Sequence, residues 1–196
     1  MTNRNEAFMR SLSRIPVAVC SALALAGSGL LLGVNAGTAQ AAGTAQAAGT
    51  AQAASCSQAY LPLPDPSCTP GVYNSDVTQS TIDSTICVSG WTATVRPPTS
   101  YTNPLKVQGI ADYGYTNTST SAYEEDHFIP LELGGSPRDP GNLWPEPYSG
   151  TKTARSKDGV ETKLKNAVCD GRITLSAARS AMKNNWTTAL SVTGIG

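Results

Sequence analysis

The single histidine of this 196-residue chain, His127, follows an aspartate in the run Asp126-His127-Phe128-Ile129-Pro130-Leu131-Glu132-Leu133-Gly134-Gly135. After a short connection rich in turn formers comes Asn142-Leu143-Trp144-Pro145. A carboxylate beside an imidazole can hold a divalent cation and present a base at the same point, which is what hydrolysis of a phosphodiester needs. Histidine suits the base, because its unperturbed pKa lies near neutrality. Glu124 and Glu125 precede the pair and enlarge an acidic knot around it.

These side chains need elements to position them. Tyr123 to Leu133 reads as a strand running into a turn. Gly134 to Pro137 and Asp139 to Gly141 read as a long structured connection, with the Gly pair supplying positive φ. Asn142 to Trp144 reads as the return strand, ended by Pro145 and Pro147. A helix follows, with Ser156 as its N-cap and Val160, Leu164, Ala167 and Val168 on one face; Gly171 ends it. Thr174 caps a second helix, whose stripe of Leu175, Ala178, Met182, Trp186 and Leu190 reads as core. Upstream, residues 60–72 are proline-rich and irregular, and 77–87 is a short helical or extended segment. Trp91 to Val95 alternates with β-branched members and predicts a strand stopped by Pro97-Pro98. A short helix is expected near Leu105 to Tyr113, and a polar loop over 116–121. The expected fold is therefore α+β: a small single domain with a ββα-metal core, an extra N-terminal strand and C-terminal helices.

The first residues read differently. Arg4, Arg10 and Arg14 precede an uncharged apolar run from Val17 to Val34, and small-x-small sites such as Ala39-Gln40-Ala41 follow. This is the pattern of a secretory signal peptide, expected over 1–41, and it outweighs the rival reading as a membrane anchor. Ala-Gly-Thr-Ala-Gln-Ala then occurs at 36–41, 42–47 and 48–53. It has no large apolar residue to bury, so 42–55 is expected as a low-complexity leader. Residues 56–196 remain for one domain with one core. They hold four cysteines, Cys56, Cys68, Cys87 and Cys169, an even number that suggests two disulfides in an exported chain. Three pairings are possible; Cys56–Cys68 with Cys87–Cys169 is preferred, closing a proline-rich loop and tying an early segment to a late helix. The formal net charge is zero. Between Lys152 and Lys183, however, eight Lys and Arg face three acids, a basic half that suits a polyanion or a solvated helix surface.

Glu125-Asp126-His127-x-x-Pro130-Leu131-x-x-Gly134-Gly135 followed by Asn142-Leu143-Trp144-Pro145 resembles the HNH-type (His-Me finger) endonucleases. It is similar in particular to a group of small secreted bacterial proteins of that type. Thr85-Ile86-Cys87, Val95-Arg96-Pro97-Pro98, Lys157-Asp158 with Glu161, and Val168-Cys169-Asp170-Gly171 belong to the same resemblance, which covers most of the mature chain. It implies His127 as general base, Asp126 as metal ligand, and Asn142 as the residue that fixes the loop and orients the imidazole. No histidine follows Asn142, so the usual helix ligand is missing, and Glu161 or Asp158 is the candidate in its place. Lys157, Arg96 and Arg155 are candidate phosphate contacts. The implied cofactor is one divalent metal ion, Mg²⁺ or Mn²⁺ first, with Zn²⁺ or Ni²⁺ as alternatives.

Together these readings predict a secreted, extracellular, monomeric, metal-dependent endonuclease. Its partner would be nucleic acid, DNA first and RNA second, cut with little sequence preference because no reading module is visible. No membrane partner is expected once the signal is removed. A non-catalytic binding or structural exoprotein on the same scaffold is the main rival, favoured by the missing second histidine. A glycan hydrolase using Glu124, Glu125, Asp126 or Glu132 is a third reading. Adjacent acids on one strand rarely straddle a sugar, and His127 would then have no task.

Overall fold

The computed structural model describes residues 55–196. The signal peptide over 1–41 and the leader over 42–55, apart from Ser55, lie outside the described residues. The rest is a small α+β domain built on one two-stranded sheet. Five helices accompany it among the described residues: α1 (Trp91–Val95), α2 (Thr99–Asp112), α3 (Ala154–Cys169), α4 (Leu175–Asn185) and α5 (Ala189–Val192). Strands β1 (Tyr123–His127) and β2 (Leu143–Pro147) pair antiparallel, with Glu124 opposite Glu146, Asp126 opposite Trp144, and His127 opposite Leu143.

Strand β1 carries three consecutive acids, residue types depleted in strands. Its ends anchor it instead: Tyr123 and His127 are buried, and the three acids between them are only partly covered. β2 runs through Pro145, where the sequence suggested it would stop. A two-stranded ribbon has two outer edges, and a proline whose nitrogen faces an edge removes no ladder hydrogen bond.

Two hydrophobic clusters hold the ribbon. One gathers Ile110, Tyr113, Tyr115, Tyr123, Phe128, Ile129 and Trp144, with the Tyr115 and Tyr123 rings stacked 4.7 Å apart. It packs α2 against the sheet. The other joins Val77, Ile82, Ile86 and Leu133 to Leu164 and Val168 of α3 and to Leu175, Ala178, Met182, Trp186 and Ala189. The stripe read from the α4 sequence is thus core, with Leu190 only partly buried.

The expected strand at Trp91–Val95 is an α-helix. Gly90 enters it in the left-handed conformation (φ 79°), and Trp91, not alternate residues, packs on the main core. Thr92, Thr94 and Val95 favour strands only where a pleated partner is in reach, and this segment pairs with neither strand of the sheet. α2 starts at Thr99, earlier than expected, and accommodates Pro104 in its second turn. α3 also starts earlier. Its N-cap is Thr153, and Ser156 is the reciprocal member of a capping box. In that box Ser156 Oγ accepts from the Thr153 amide at 2.7 Å.

Both disulfides form with the preferred pairing. Cys56–Cys68 closes a short loop, and Cys87–Cys169 bridges 82 positions to the last residue of α3.

On the α2 side of the sheet, Glu125 sits over an apolar cavity lined by Leu105, Gly109, Tyr113, Leu143 and Pro145. One of its carboxyl oxygens is buried without a hydrogen-bond partner, and burial pushes its pKa up to about 8. The folded state therefore keeps a proton that the unfolded chain has lost above pH ~4.5. The stability tied to it is full below that pH and drains away as pH rises toward 8. Glu125→Gln removes this dependence. In urea melts the wild type should lose on the order of 2 kcal/mol relative to that variant between pH 5 and pH 8.

Candidate active site

β1 delivers Asp126 and His127 to one cleft of about 190 Å³. Glu124 lines it from the same strand, Pro130, Leu131 and Glu132 from the loop, Asp158, Glu161 and Thr162 from α3, and Thr92 and Arg96 from the α1 end. Alternation would send Asp126 and His127 to opposite faces of the sheet, but His127 is the last strand residue and the chain turns there.

The loop after His127 is held from three sides. Asn142, fully buried, accepts from the Ile129 amide at 2.9 Å and donates Nδ2 to the carbonyls of Ile129 and Ser136, each at 3.0 Å. Its own carbonyl accepts from Phe128 N at 2.9 Å, next to His127. Gly135 is required by close approach: a Cβ there would fall 1.8 Å from the Ile129 carbonyl oxygen. Gly134, at φ 71°, is the one of the pair with positive φ. From α4, the Arg179 guanidinium donates to the carbonyls of Leu133, Gly134 and Val77.

Asn142 therefore fixes the loop, as expected, but the imidazole is oriented by a different group. His127 Nε2 donates to the Pro137 carbonyl at 3.1 Å. A carbonyl can only accept, so Nε2 carries the hydrogen and Nδ1 keeps its lone pair. Burial lowers the His127 pKa, against the opposing pull of the Asp126 charge. The ring is accordingly neutral at pH 7. Asn142→Ala strands the Ile129 amide and two carbonyls. It should cost about 3 kcal/mol in chemical denaturation, the range for buried polar groups left unpaired.

Beneath the cleft lies Lys157, with no exposed surface. Its ammonium donates to Asp126 Oδ2 at 2.6 Å, Glu161 Oε1 at 2.5 Å and the His127 carbonyl at 2.9 Å. Burial alone would lower its pKa, but the carboxylates around it outweigh that and raise it. The reverse holds at Asp126. Burial would raise its pKa, and the Lys157 ammonium against it holds it below the usual range. Glu161 is pushed up to about 7 by burial, only partly offset by Lys157. Burial also raises Glu124 and Asp158, with the Asp126 charge adding to both.

Glu146, on β2, is buried at 1% exposure. Neither of its oxygens meets a donor among the described residues, and Lys157 Nζ stays 4.0 Å away. Burial raises it to about 10, with the Asp126 charge adding to the shift, so it keeps its proton at neutral pH. The sequence reading passed over this residue. No local signal marks it: Leu143 to Glu146 are all buried, so alternation along β2 does not single it out.

Of the sequence candidates, Asp126, His127, Asp158, Glu161 and Arg96 line the one cleft. Lys157 is enclosed below it, and Asn142 braces the loop. Arg155 stands apart, its guanidinium over the Tyr148 ring at 4.8 Å. The cleft's donor set is carboxylate oxygens with one imidazole, since all four described cysteines are disulfide-bonded. That chemistry suits a hard divalent cation such as Mg²⁺ or Mn²⁺. Among the described residues no three His, Cys, Asp or Glu groups converge into a ready cage. A magnesium-type ion does not need one; it is commonly held by one or two carboxylates, waters and substrate phosphate.

No protein-family model, no curated protein and no solved structure matches the chain.

Proposed function

We propose that this chain is a secreted, metal-dependent endonuclease of the ββα-metal kind. It hydrolyses phosphodiester bonds of DNA, with RNA as a second substrate, and has little sequence preference. The observation that carries the proposal is the state of His127: a buried, neutral imidazole whose Nε2 hydrogen is committed to Pro137, leaving Nδ1 as the base beside Asp126 in an acidic cleft. His127 Nδ1 takes the proton from the attacking water. Asp126, ionised and held by Lys157, is the principal cation ligand, with Glu161 or Asp158 the candidate second. A bound divalent cation supplies charge stabilisation at the phosphate and the leaving oxygen. Arg96, on the same cleft, is placed to meet a phosphate. Two disulfides fit the oxidising destination that a signal peptide implies.

One observation favours the rival reading, a non-catalytic exoprotein: Lys157 already compensates Asp126 and Glu161 without any metal. Metal dependence separates the two. The disulfide-bonded protein, incubated with supercoiled plasmid or single-stranded RNA, should cleave with Mg²⁺ or Mn²⁺ and stop on addition of chelator. Absence of cleavage with Mg²⁺, Mn²⁺, Zn²⁺ and Ni²⁺ on both substrates would favour the binding protein.

A further inference from the structure

Lysine is almost never fully enclosed unless paired, and an ammonium has three hydrogens to give. Lys157 gives all three within the domain, to Asp126, Glu161 and the His127 carbonyl. None is left for a substrate phosphate. Nor can the side chain swing away, because its departure would leave two partly buried carboxylates uncompensated. It is a permanent resident cation at the floor of the cleft.

Each of the two carboxylates spends one oxygen on that ammonium. Their side chains remain open to the cleft by only 12% for Asp126 and 13% for Glu161. A divalent cation arriving from the cleft meets carboxylates that are already half-engaged, and a positive charge directly behind them. We infer that Lys157 keeps Asp126 and Glu161 from binding a divalent cation tightly on their own, so that cation and nucleic-acid phosphate enter the site as mutually dependent ligands. The inference rests on the nuclease reading for the identity of the second ligand. The phosphate supplies the oxygens and the negative charge that Lys157 has taken out of the protein's donor set. Lys157 thus acts as a positioning residue: it holds Asp126 ionised and joins α3 to the strand end that bears His127.

The test reads metal binding, not cleavage. Mn²⁺ is titrated into the disulfide-bonded wild-type protein by calorimetry, alone and with a short phosphorothioate DNA strand. Binding of Mn²⁺ alone should be weak, in the millimolar range, and should tighten at least tenfold with the strand. By linkage, strand affinity should rise by the same factor with Mn²⁺. Lys157→Met removes the charge at similar length and should tighten Mn²⁺ binding in the absence of DNA by at least tenfold. Micromolar binding of Mn²⁺ by the wild type alone, or no effect of the strand, overturns the inference; so does a folded Lys157→Met protein with unchanged Mn²⁺ affinity. If that variant does not fold, the two wild-type titrations decide. Cleavage without metal–strand coupling would sink this inference and leave the nuclease reading intact. Coupling without cleavage would do the reverse.

Discussion

His127→Ala should reduce cleavage about 10³-fold, the middle of the range for loss of a positioned general base, while the protein stays folded. His127 is 4% exposed, and its ring makes one side-chain hydrogen bond, to Pro137. The structural contacts of this position that matter most are backbone ones: the His127 carbonyl to Lys157 and the pairing with Leu143. Alanine keeps both. Activity should therefore fall far more than stability, and millimolar imidazole should restore part of it by supplying the missing base from solution. The acid limb of the wild-type pH profile follows from the lowered pKa of His127. Protonation removes the lone pair on Nδ1, so the rate should hold below pH 6.5 before falling. Nicking assays with circular dichroism on the same samples check all three outcomes. A folded variant that keeps wild-type activity would remove His127 from the chemistry.

The largest stability effect is expected at Cys87–Cys169. Closing a loop of 82 positions restricts the unfolded chain by about 4.5 kcal/mol in the chain-entropy model, against about 3 kcal/mol for the 12-position loop of Cys56–Cys68. The longer bridge fixes the C-terminal end of α3, whose N-terminal half carries Lys157, Asp158 and Glu161. Replacing both Cys87 and Cys169 by alanine should lower the melting temperature by about 15 °C, given ~3–4 °C per kcal/mol for a domain of this size. Replacing Cys56 and Cys68 should cost less. Equal losses from the two pairs would mean that loop length is not what sets their contribution.

The path from sequence to this site was legible where local signals agreed. Gly134-Gly135 and Asp139-Pro140-Gly141 bracket the connection, Thr174 and Gly171 separate the last two long helices, and the α4 stripe has a clean helical period. At Trp91–Val95, propensity and fold disagreed. β-branched residues favour a strand only when a partner edge is offered, and the chain there turns through Gly90 into a helix that seats Trp91 on the core. Ser156 reads as the cap because serine caps helices; the box it forms with Thr153 is a reciprocal pair, and sequence alone does not say which member comes first.

The site divided in the same way. Asp126 and His127 were visible because an aspartate beside the one histidine is a pairing that could hold a cation and supply a base. The burial of Lys157 and Glu146 was not. Lys157 lies four residues before Glu161, the ordinary spacing of a surface helix pair, and nothing local shows that β1 covers it. Glu146 stands between two prolines and reads as exposed. Its depth is set by the sheet register opposite Glu124 and by α3 packing behind β1, both of them long-range. The Pro137 carbonyl that orients His127 is a backbone group, invisible to any reading of side-chain types.

The central claim is that a neutral His127 and a divalent cation hydrolyse phosphodiesters in this cleft. Its most direct test is nicking of supercoiled plasmid by the disulfide-bonded wild type and His127→Ala in parallel, each with Mg²⁺ or Mn²⁺ and with excess chelator. The account predicts open-circular product only from the wild type with metal. Equal nicking by both proteins, nicking that survives the chelator, or no product from a folded wild type with either metal would contradict it.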